Sequence, residues 1–148
     1  RTKLDKISQK LLEDFFQNVS APYDFQKMEV RGSNVYYLPD KDTCSLKGIK
    51  FLRNGLCLGE LKKNRFEPSQ PFAMALSGED YAHVINLSSS DERIARYLKG
   101  ETLLLSEAET PAQNGWQLVC TDGFPLGWGK AVGSTLKNKY PSGWRQMG

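Results

Sequence analysis

The sequence predicts an α+β protein in which short antiparallel strands dominate and two or three short helices accompany them. Helical spacing of apolar residues is confined to a few stretches, and elsewhere short apolar runs alternate with turn residues. The chain has 148 residues, of which 39% are hydrophobic and 25% charged. That composition excludes a disordered or fibrous protein, and that length suffices for one core or two small linked ones.

The first predicted element is a helix that runs to about Asn18. Thr2 and Asp5 resemble a capping box at its start, and residues 21–23, Ala-Pro-Tyr, end it. Its apolar positions fall on one stripe of a helix. They are Ile7, Leu11, Leu12, Phe15 and Phe16.

Short strands and turns follow. A polar turn at residues 32–34 predicts a hairpin of residues 28–31 and 35–38, and a loop at 39–45 comes next. Residues 53–55, Arg-Asn-Gly, are typical of a tight turn between strands at 49–52 and 56–61. A helical stretch is then expected at 72–76.

The second half begins after Ser77-Gly78, the best candidate for a domain boundary, which gives domains 1–77 and 78–148. A capping box at 89–92 and a stop at Gly100 predict a helix over 91–99. Strands are expected at 102–105 and 116–121, separated by an acidic loop. The glycines and prolines of 123–143 are interpreted as turn formers.

The charge is segregated along the chain. The total of 20 basic and 17 acidic residues gives a net charge of +3. Seven basic against seven acidic residues make 1–46 neutral, and six against one give +5 in 47–65. Three against nine give −6 in 66–122, and four against none give +4 in 123–148. Two basic blocks around an acidic one indicate that an anionic partner meets one face.

The last basic block interleaves cations with aromatic residues. Aromatic rings can stack on unpaired bases while cations neutralise phosphate, so this pattern favours nucleic acid. The alternative for the charges is that they simply lie on a solvated surface. For at least half of the aromatics the alternative is that they pack in the core.

Cysteine and histidine usage excludes several kinds of site. Cys44, Cys57 and Cys120 are widely spaced, and His83 is the single histidine. A zinc site needs four ligands, usually in close pairs, so no metal site is predicted. Residues 123–131 imitate a phosphate-binding loop, but the spacing before Gly129-Lys130 is wrong and Ala131 cannot ligate magnesium. No catalytic residue is predicted.

The ends of the sequence suggest a piece of a longer intracellular, cytoplasmic polypeptide. It begins at Arg1, and no signal segment or apolar run of about 20 residues occurs. A processed whole protein would look the same. No membrane partner is expected.

Several segments resemble a known family. In the tail they are residues 123–130, 136–141 and 143–145, and before them come residues 91–101, 55–60 and 62–69. Together they are similar to the C-terminal region of the bacterial RsmF-type members of the Sun family of RNA 5-cytosine methyltransferases. That region comprises a small middle domain and a PUA-like RNA-binding domain. The chain departs from the family pattern at Lys139 and Trp144, where histidine and leucine are expected.

The resemblance implies a PUA-like mixed β-barrel preceded by a small α+β domain, with no catalytic residue in this chain. It implies phosphate contacts by the four basic residues of the tail and an extension of that track by three more. The tail residues are Lys130, Lys137, Lys139 and Arg145, and the others are Lys62, Lys63 and Arg65. Asn138 and Trp128 are candidate base or backbone readers, although Asn138 is also typical of a turn.

The implied partners are ribosomal RNA and the methyltransferase domain of the same polypeptide, with the chain itself a monomer. S-adenosylmethionine would bind that other domain, so no cofactor is expected in this chain. The family's paired catalytic cysteines lie in that domain too, and Thr43-Cys44 matches their pattern only by chance. The alternative function is a protein-interaction or interdomain docking module. An independent enzyme is disfavoured because the site residues are absent.

Overall fold

Two separate β-sheets, one in each half of the chain, organise the structure. It is a computed structural model that describes residues 4–38 and 55–146. It divides into two units, residues 1–72 and 73–148. The predicted α+β class is confirmed, whereas the domain boundary after Ser77 stays a prediction.

The first unit combines one helix with a four-stranded antiparallel sheet in the order β1-β2-β3-β4. The predicted hairpin over residues 28–38 and the strand at 56–61 are confirmed, and a strand that was not predicted completes the sheet. The elements are α1 (Lys6–Phe16), a 3-10 turn (Phe25–Lys27), β1 (Met28–Arg31), β2 (Asn34–Tyr37), β3 (Leu56–Lys62) and β4 (Arg65–Pro68).

Helix α1 begins at a cap different from the one that the sequence indicated. The carboxylate of Asp5 accepts a hydrogen bond from the backbone N–H of Ser8 at 2.7 Å, so Asp5 is the N-cap. This bond satisfies one of the backbone donors that the first turn leaves unpaired. Thr2 lies outside the described residues.

An aromatic cluster forms the core of this unit. Phe15 and Phe16 at the end of α1 contact Phe72, with ring centroids 6.1 and 5.4 Å away. Phe66 of β4 meets Phe15 edge-on at 5.1 Å, which fixes α1 against the sheet. The predicted apolar stripe of α1 is therefore buried at its C-terminal end, while Ile7 near its start is 69% exposed.

The second unit is built on a five-stranded sheet in the order β5-β7-β8-β9-β6. Strand β5 runs parallel to β7 and the other pairs are antiparallel, so the sheet is mixed. The elements are α2 (Gln70–Ala75, which spans the two units), β5 (Val84–Leu87), α3 (Arg93–Leu98), β6 (Leu103–Leu104), β7 (Gly115–Thr121), β8 (Phe124–Val132), β9 (Thr135–Asn138) and a 3-10 turn (Ser142–Trp144).

The glycine-rich stretch at 123–130 corrects the sequence-based interpretation. Only Gly123 and Gly133 lie in turns with positive φ, whereas the residues between them form β8. A Cβ on Gly129 would lie 2.8 Å from the side chain of Leu136, so glycine there lets β9 pack close to the β8 backbone. Pro125 is accommodated because a bulge interrupts the β7–β8 register between Val119 and Cys120.

The sheet has a core face and an outer face. The core side chains include Val119, Ala131 and Leu136, and they pack with Tyr97 of α3. Because side chains alternate along a strand, their neighbours Leu118, Lys130 and Lys137 lie on the outer face.

Some predictions fall on residues outside the described part of the chain. These are the loop at 39–45 with Cys44, the strand at 49–52, most of the turn at 53–55, and three cations of the first basic block. The cations are Lys47, Lys50 and Arg53.

Candidate nucleic-acid interface

A row of three side chains crosses the outer face of the second sheet. In the strand register Trp116 of β7 lies opposite Lys130 of β8, and Lys130 lies opposite Lys137 of β9. Lys139 follows β9, and its backbone N–H donates to the carbonyl of Trp128 at 3.2 Å. We call Trp116, Lys130, Lys137 and Lys139 the basic face.

Within this face two ammonium groups lie over one indole ring. The Nζ atom of Lys130 is 5.4 Å from the centroid of Trp116, and that of Lys139 is 5.8 Å away. Such contacts contribute about 0.5–1 kcal/mol at exposed sites. Over residues 4–38 and 55–146, no carboxylate pairs with these two lysines or with Lys137. Their positive charge is therefore available to an anionic ligand.

Trp128 does not read a base in this structure, which corrects the sequence-based expectation. Only 1% of its surface is exposed. Its ring meets Tyr81 edge-on at 5.1 Å and Trp116 at 6.4 Å. Burial raises the pKa of the Tyr81 phenol well above its usual range. Trp128 thus packs beneath the basic face, whereas Trp116 is only partly buried.

Asn138 is the last residue of β9, and its side chain hydrogen-bonds three backbone groups. Its amide nitrogen donates to the carbonyls of Tyr97 and Glu101 at 2.8 and 2.9 Å. Its amide oxygen accepts from the N–H of Tyr140 at 2.8 Å. The side chain is thereby committed to the backbone that leaves helix α3.

Arg145 lies apart from the basic face. Its guanidinium packs against the backbone of Gly100, where a Cβ would come within 2.3 Å of Nε. The next residue, Gln146, donates its N–H to the carbonyl of Leu98 at 2.8 Å. Arg145 therefore sits at the C-terminus of α3, where the helix dipole favours a cation.

The basic hairpin of the first unit is partly neutralised. Lys62 and Arg65 face each other across β3 and β4, and both pair with Glu67 at 3.2 and 2.8 Å. Partial burial raises the pKa of Glu67, but the hydrogen bonds from the two cations outweigh it and the net pKa is lowered. Lys63 in the turn is exposed and has no carboxylate partner among the described residues.

Trp116 is the residue that sequence reasoning missed. It is the first residue of the strand predicted at 116–121, and it precedes the tail in which the phosphate contacts were predicted. Counting back from the β7–β8 turn at 122–123 would pair Trp116 with Gly129, whereas the structure pairs it with Lys130. Without the register shift at Val119/Cys120, that pairing cannot be derived from residue counting.

The described residues show no metal-binding cluster, no membrane-spanning helix and no activated thiol. No three of their histidine, cysteine or acidic side chains cluster in a way that could hold a metal ion. None of their helices is long and apolar enough to span a membrane. Burial raises the pKa of the Cys120 thiol to about 11 and also raises that of Cys57, so both thiols are poor nucleophiles at neutral pH.

Two family models match the chain in succession. Residues 14–76 match the first C-terminal domain of the RsmF rRNA methyltransferase, and residues 84–146 match the PUA domain of methyltransferase RsmF. The chain belongs to the RsmF family. The two sheets thus correspond to its small middle domain and its PUA-like mixed barrel, as the resemblance implied.

Individual RsmF relatives agree with this assignment. Ribosomal RNA small subunit methyltransferase F of Shewanella oneidensis is 34% identical over 112 residues, which cover 76% of the chain and 23% of the relative. The protein of the same name from Shewanella loihica is 30% identical over 142 residues, or 95% of the chain and 28% of the relative. The chain thus spans about a quarter of the length of the curated relatives it matches.

Proposed function

We propose that this chain is the RNA-binding C-terminal region of a ribosomal RNA methyltransferase. It holds structured RNA so that a target cytosine reaches an active site elsewhere in the polypeptide. The observation that carries this proposal is the basic face, where two lysines lie over a partly open indole and a third lies beside them in the sheet. None of the three pairs with a carboxylate in the described part of the chain.

Phosphate contacts provide the main attraction. Lys130, Lys137 and Lys139 converge on one side of the sheet, whereas Arg145 lies at the end of α3 and forms a separate contact point. In the first unit Lys63 is the best candidate for a phosphate contact, because Glu67 already pairs with Lys62 and Arg65. Trp128 and Asn138 support the fold beneath the face.

Titration of the 148-residue chain with a small-subunit rRNA stem-loop at several salt concentrations tests this proposal. If phosphates dominate, the logarithm of the affinity falls with the logarithm of salt by about 0.7–0.9 per contact. Lys137→Ala and Lys139→Ala should each weaken binding and lower that slope by one contact. Lys99→Ala is the matched control, since Lys99 is an exposed lysine of the same unit at the end of α3.

Binding that is absent at low salt, or tight and insensitive to salt, contradicts the proposal. So does an equal loss in Lys99→Ala and in the basic-face variants, since that would reflect net charge alone.

The chain itself performs no methyl transfer under this proposal. S-adenosylmethionine belongs to the part of the polypeptide that precedes it in the family, so adding the cofactor to this chain should leave its thermal unfolding unchanged. A clear stabilisation by S-adenosylmethionine would overturn that assignment. Under this proposal the protein acts on ribosomal RNA in the bacterial cytoplasm. The chain itself is proposed to be a monomer.

A docking module is the second candidate function, because the outer face is not wholly basic. Leu104 and Val132 lie on either side of Thr135 in the strand register, and they are 73% and 43% exposed. Contiguous exposed apolar surface marks protein contacts, so this pair is where we would place the docking contact. If it docks on the methyltransferase domain, Leu104→Ser should weaken that association and leave RNA affinity unchanged.

A further inference from the structure

We infer that Trp116 is a stacking platform for an unpaired nucleotide, so that the basic face selects RNA with an exposed base over a continuous duplex. This inference rests on the proposed function and adds the class of RNA that the face takes. The observation that carries it is one partly open indole with two ammonium groups over it, neither of which pairs with a carboxylate of the described residues.

The ring is held rigidly from behind. Trp116 meets Trp128 at an interplanar angle of 81°, and Trp128 meets Tyr81 at 79°. Trp128 and Tyr81 are almost completely buried, with 1% and 4% exposure. The Tyr81 hydroxyl also donates to the carbonyl of Trp116 at 3.4 Å. A ring held by neighbours in this way loses little freedom when a base stacks on it.

The exposed rings elsewhere in the unit lack this setting. Phe124 is 73% exposed at the β7–β8 turn, and Trp144 is 55% exposed beside Tyr140. Among the described rings of the second unit, Trp116 is the one that has a lysine ammonium within 6 Å of its centroid, and it has two.

The lysines are arranged so that a phosphate can draw them from the ring. Lys130 and Lys137 are directly opposed like charges, which destabilises an antiparallel pair. Because no described carboxylate relieves that repulsion, an anionic ligand gains by doing so. A charge-assisted hydrogen bond to phosphate is stronger than an exposed cation–π contact. A bound nucleotide would therefore move the ammonium groups to its backbone and uncover the indole for its base.

A duplex cannot use this arrangement. Its bases are stacked on one another, and an aromatic side chain reaches them only at loops, bulges and ends. A duplex would contact the lysines alone, with a salt dependence but no stacking. The face thus separates the two classes of RNA through Trp116.

The test uses the full chain with Trp144→Phe as background, so that Trp116 is the exposed tryptophan and Trp128 the buried one. A short single-stranded oligouridylate, a hairpin with an unpaired loop and a continuous duplex, long enough that its two ends are a small fraction of its length, are titrated at fixed low salt. We expect the two RNAs with unpaired bases to quench the fluorescence and the duplex to leave it nearly unchanged. Quenching by the duplex to the same extent would overturn the inference.

A second arm measures affinity. Base–aromatic stacking contributes about 1–3 kcal/mol, so Trp116→Leu should weaken single-strand binding about 5- to 150-fold. The salt slope should stay as it was, because no phosphate contact is removed. Trp116→Phe should restore much of the affinity. If Trp116→Leu does not fold, the quenching experiment on the folded background still decides.

The outcomes separate this inference from the proposed function. If no RNA binds, the proposed function fails. If RNA binds with the expected salt slope but Trp116→Leu is unchanged and no quenching occurs, only the inference fails. Equal quenching by a glutamate-rich peptide would assign the face to an acidic protein partner and overturn the inference.

Discussion

Arg93 and Glu109 face each other as a bidentate ion pair, with the two guanidinium nitrogens 2.8 and 2.7 Å from the two carboxylate oxygens. The same guanidinium donates to both oxygens of Asp91 and to the carbonyl of Leu104 at 2.9 Å. One side chain thereby ties the start of α3 to β6 and to the acidic loop behind it. Asp91 and Glu109 belong to the acidic segment that separates the two basic blocks, so part of its negative charge stabilises the fold.

The first prediction concerns this pair. Arg93→Ala should destabilise the second unit by about 2–3 kcal/mol, because it removes the guanidinium donors from two partly buried carboxylates and one carbonyl, and leaves each carboxylate with a backbone donor alone. Arg93→Lys should recover little, since an ammonium cannot form the parallel pair of bonds. All three tryptophans lie in this unit, so denaturant unfolding followed by tryptophan fluorescence measures the effect. Equal stability of Arg93→Ala and wild type would disprove the role assigned to Arg93.

The second prediction is a loss of stability in acid. Hydrogen bonds from Arg93, and then from the backbone of Ser106, lower the pKa of Glu109 to about 2. Because the pKa is depressed in the folded state, the stabilisation is complete above the unfolded pKa of about 4.3 and is lost as the pH falls toward 2. Asp91 shifts in the same direction through its hydrogen bonds from Arg93.

Denaturant unfolding at neutral pH and between pH 5 and 2 measures this effect. Glu109→Gln should lower the free energy of unfolding by about 1–2 kcal/mol at neutral pH, after allowance for solvent screening of a partly exposed pair. The difference from wild type should shrink toward pH 2. A constant difference across that range would show that the carboxylate charge is not what stabilises the loop.

The third prediction concerns Gly59 in β3. A Cβ there would lie 2.2 Å from the carbonyl oxygen of Glu67 and 2.6 Å from the ring of Phe66. Gly59→Ala should therefore open the β3–β4 pairing and weaken amide-exchange protection in the first unit. Gly143→Ala is the control, because a Cβ there meets nothing within 4 Å. Unchanged protection of β3 and β4 in Gly59→Ala would contradict the close packing.

The fourth prediction distinguishes support from contact at Asn138. Its side chain satisfies three backbone groups, so Asn138→Ala should cost about 2 kcal/mol of stability in the second unit. Where the variant is still folded, its RNA affinity should match wild type within a factor of two, whereas Lys137→Ala loses affinity without losing stability. A specific loss of RNA affinity in folded Asn138→Ala would restore Asn138 as a contact residue.

Interactions between near neighbours in the chain were enough to predict several secondary-structure elements. The hairpin of residues 28–37 follows from alternation around Gly32, whose φ of +63° supports the turn. The helix predicted over 91–99 is present as Arg93–Leu98, with the Asp91 carboxylate accepting from the N–H of Arg93 at 2.9 Å. Charge segregation was also visible, since it needs only residue counts.

The interface itself depended on tertiary structure. Trp116 and Trp128 lie on the same outer face. Of the two, only Trp128 is fully buried, because Tyr81 from a distant segment packs against it. The bulge in β8, where Leu126 is the extra residue, sets the register that brings Lys130 opposite Trp116. Glu67 pairs with two of the three hairpin cations. The sequence alone determined the turns, the α3 helix and the charge blocks through interactions between near neighbours. Long-range packing decided which rings and cations remain accessible to a ligand, because burial and strand register depend on residues far apart in the chain.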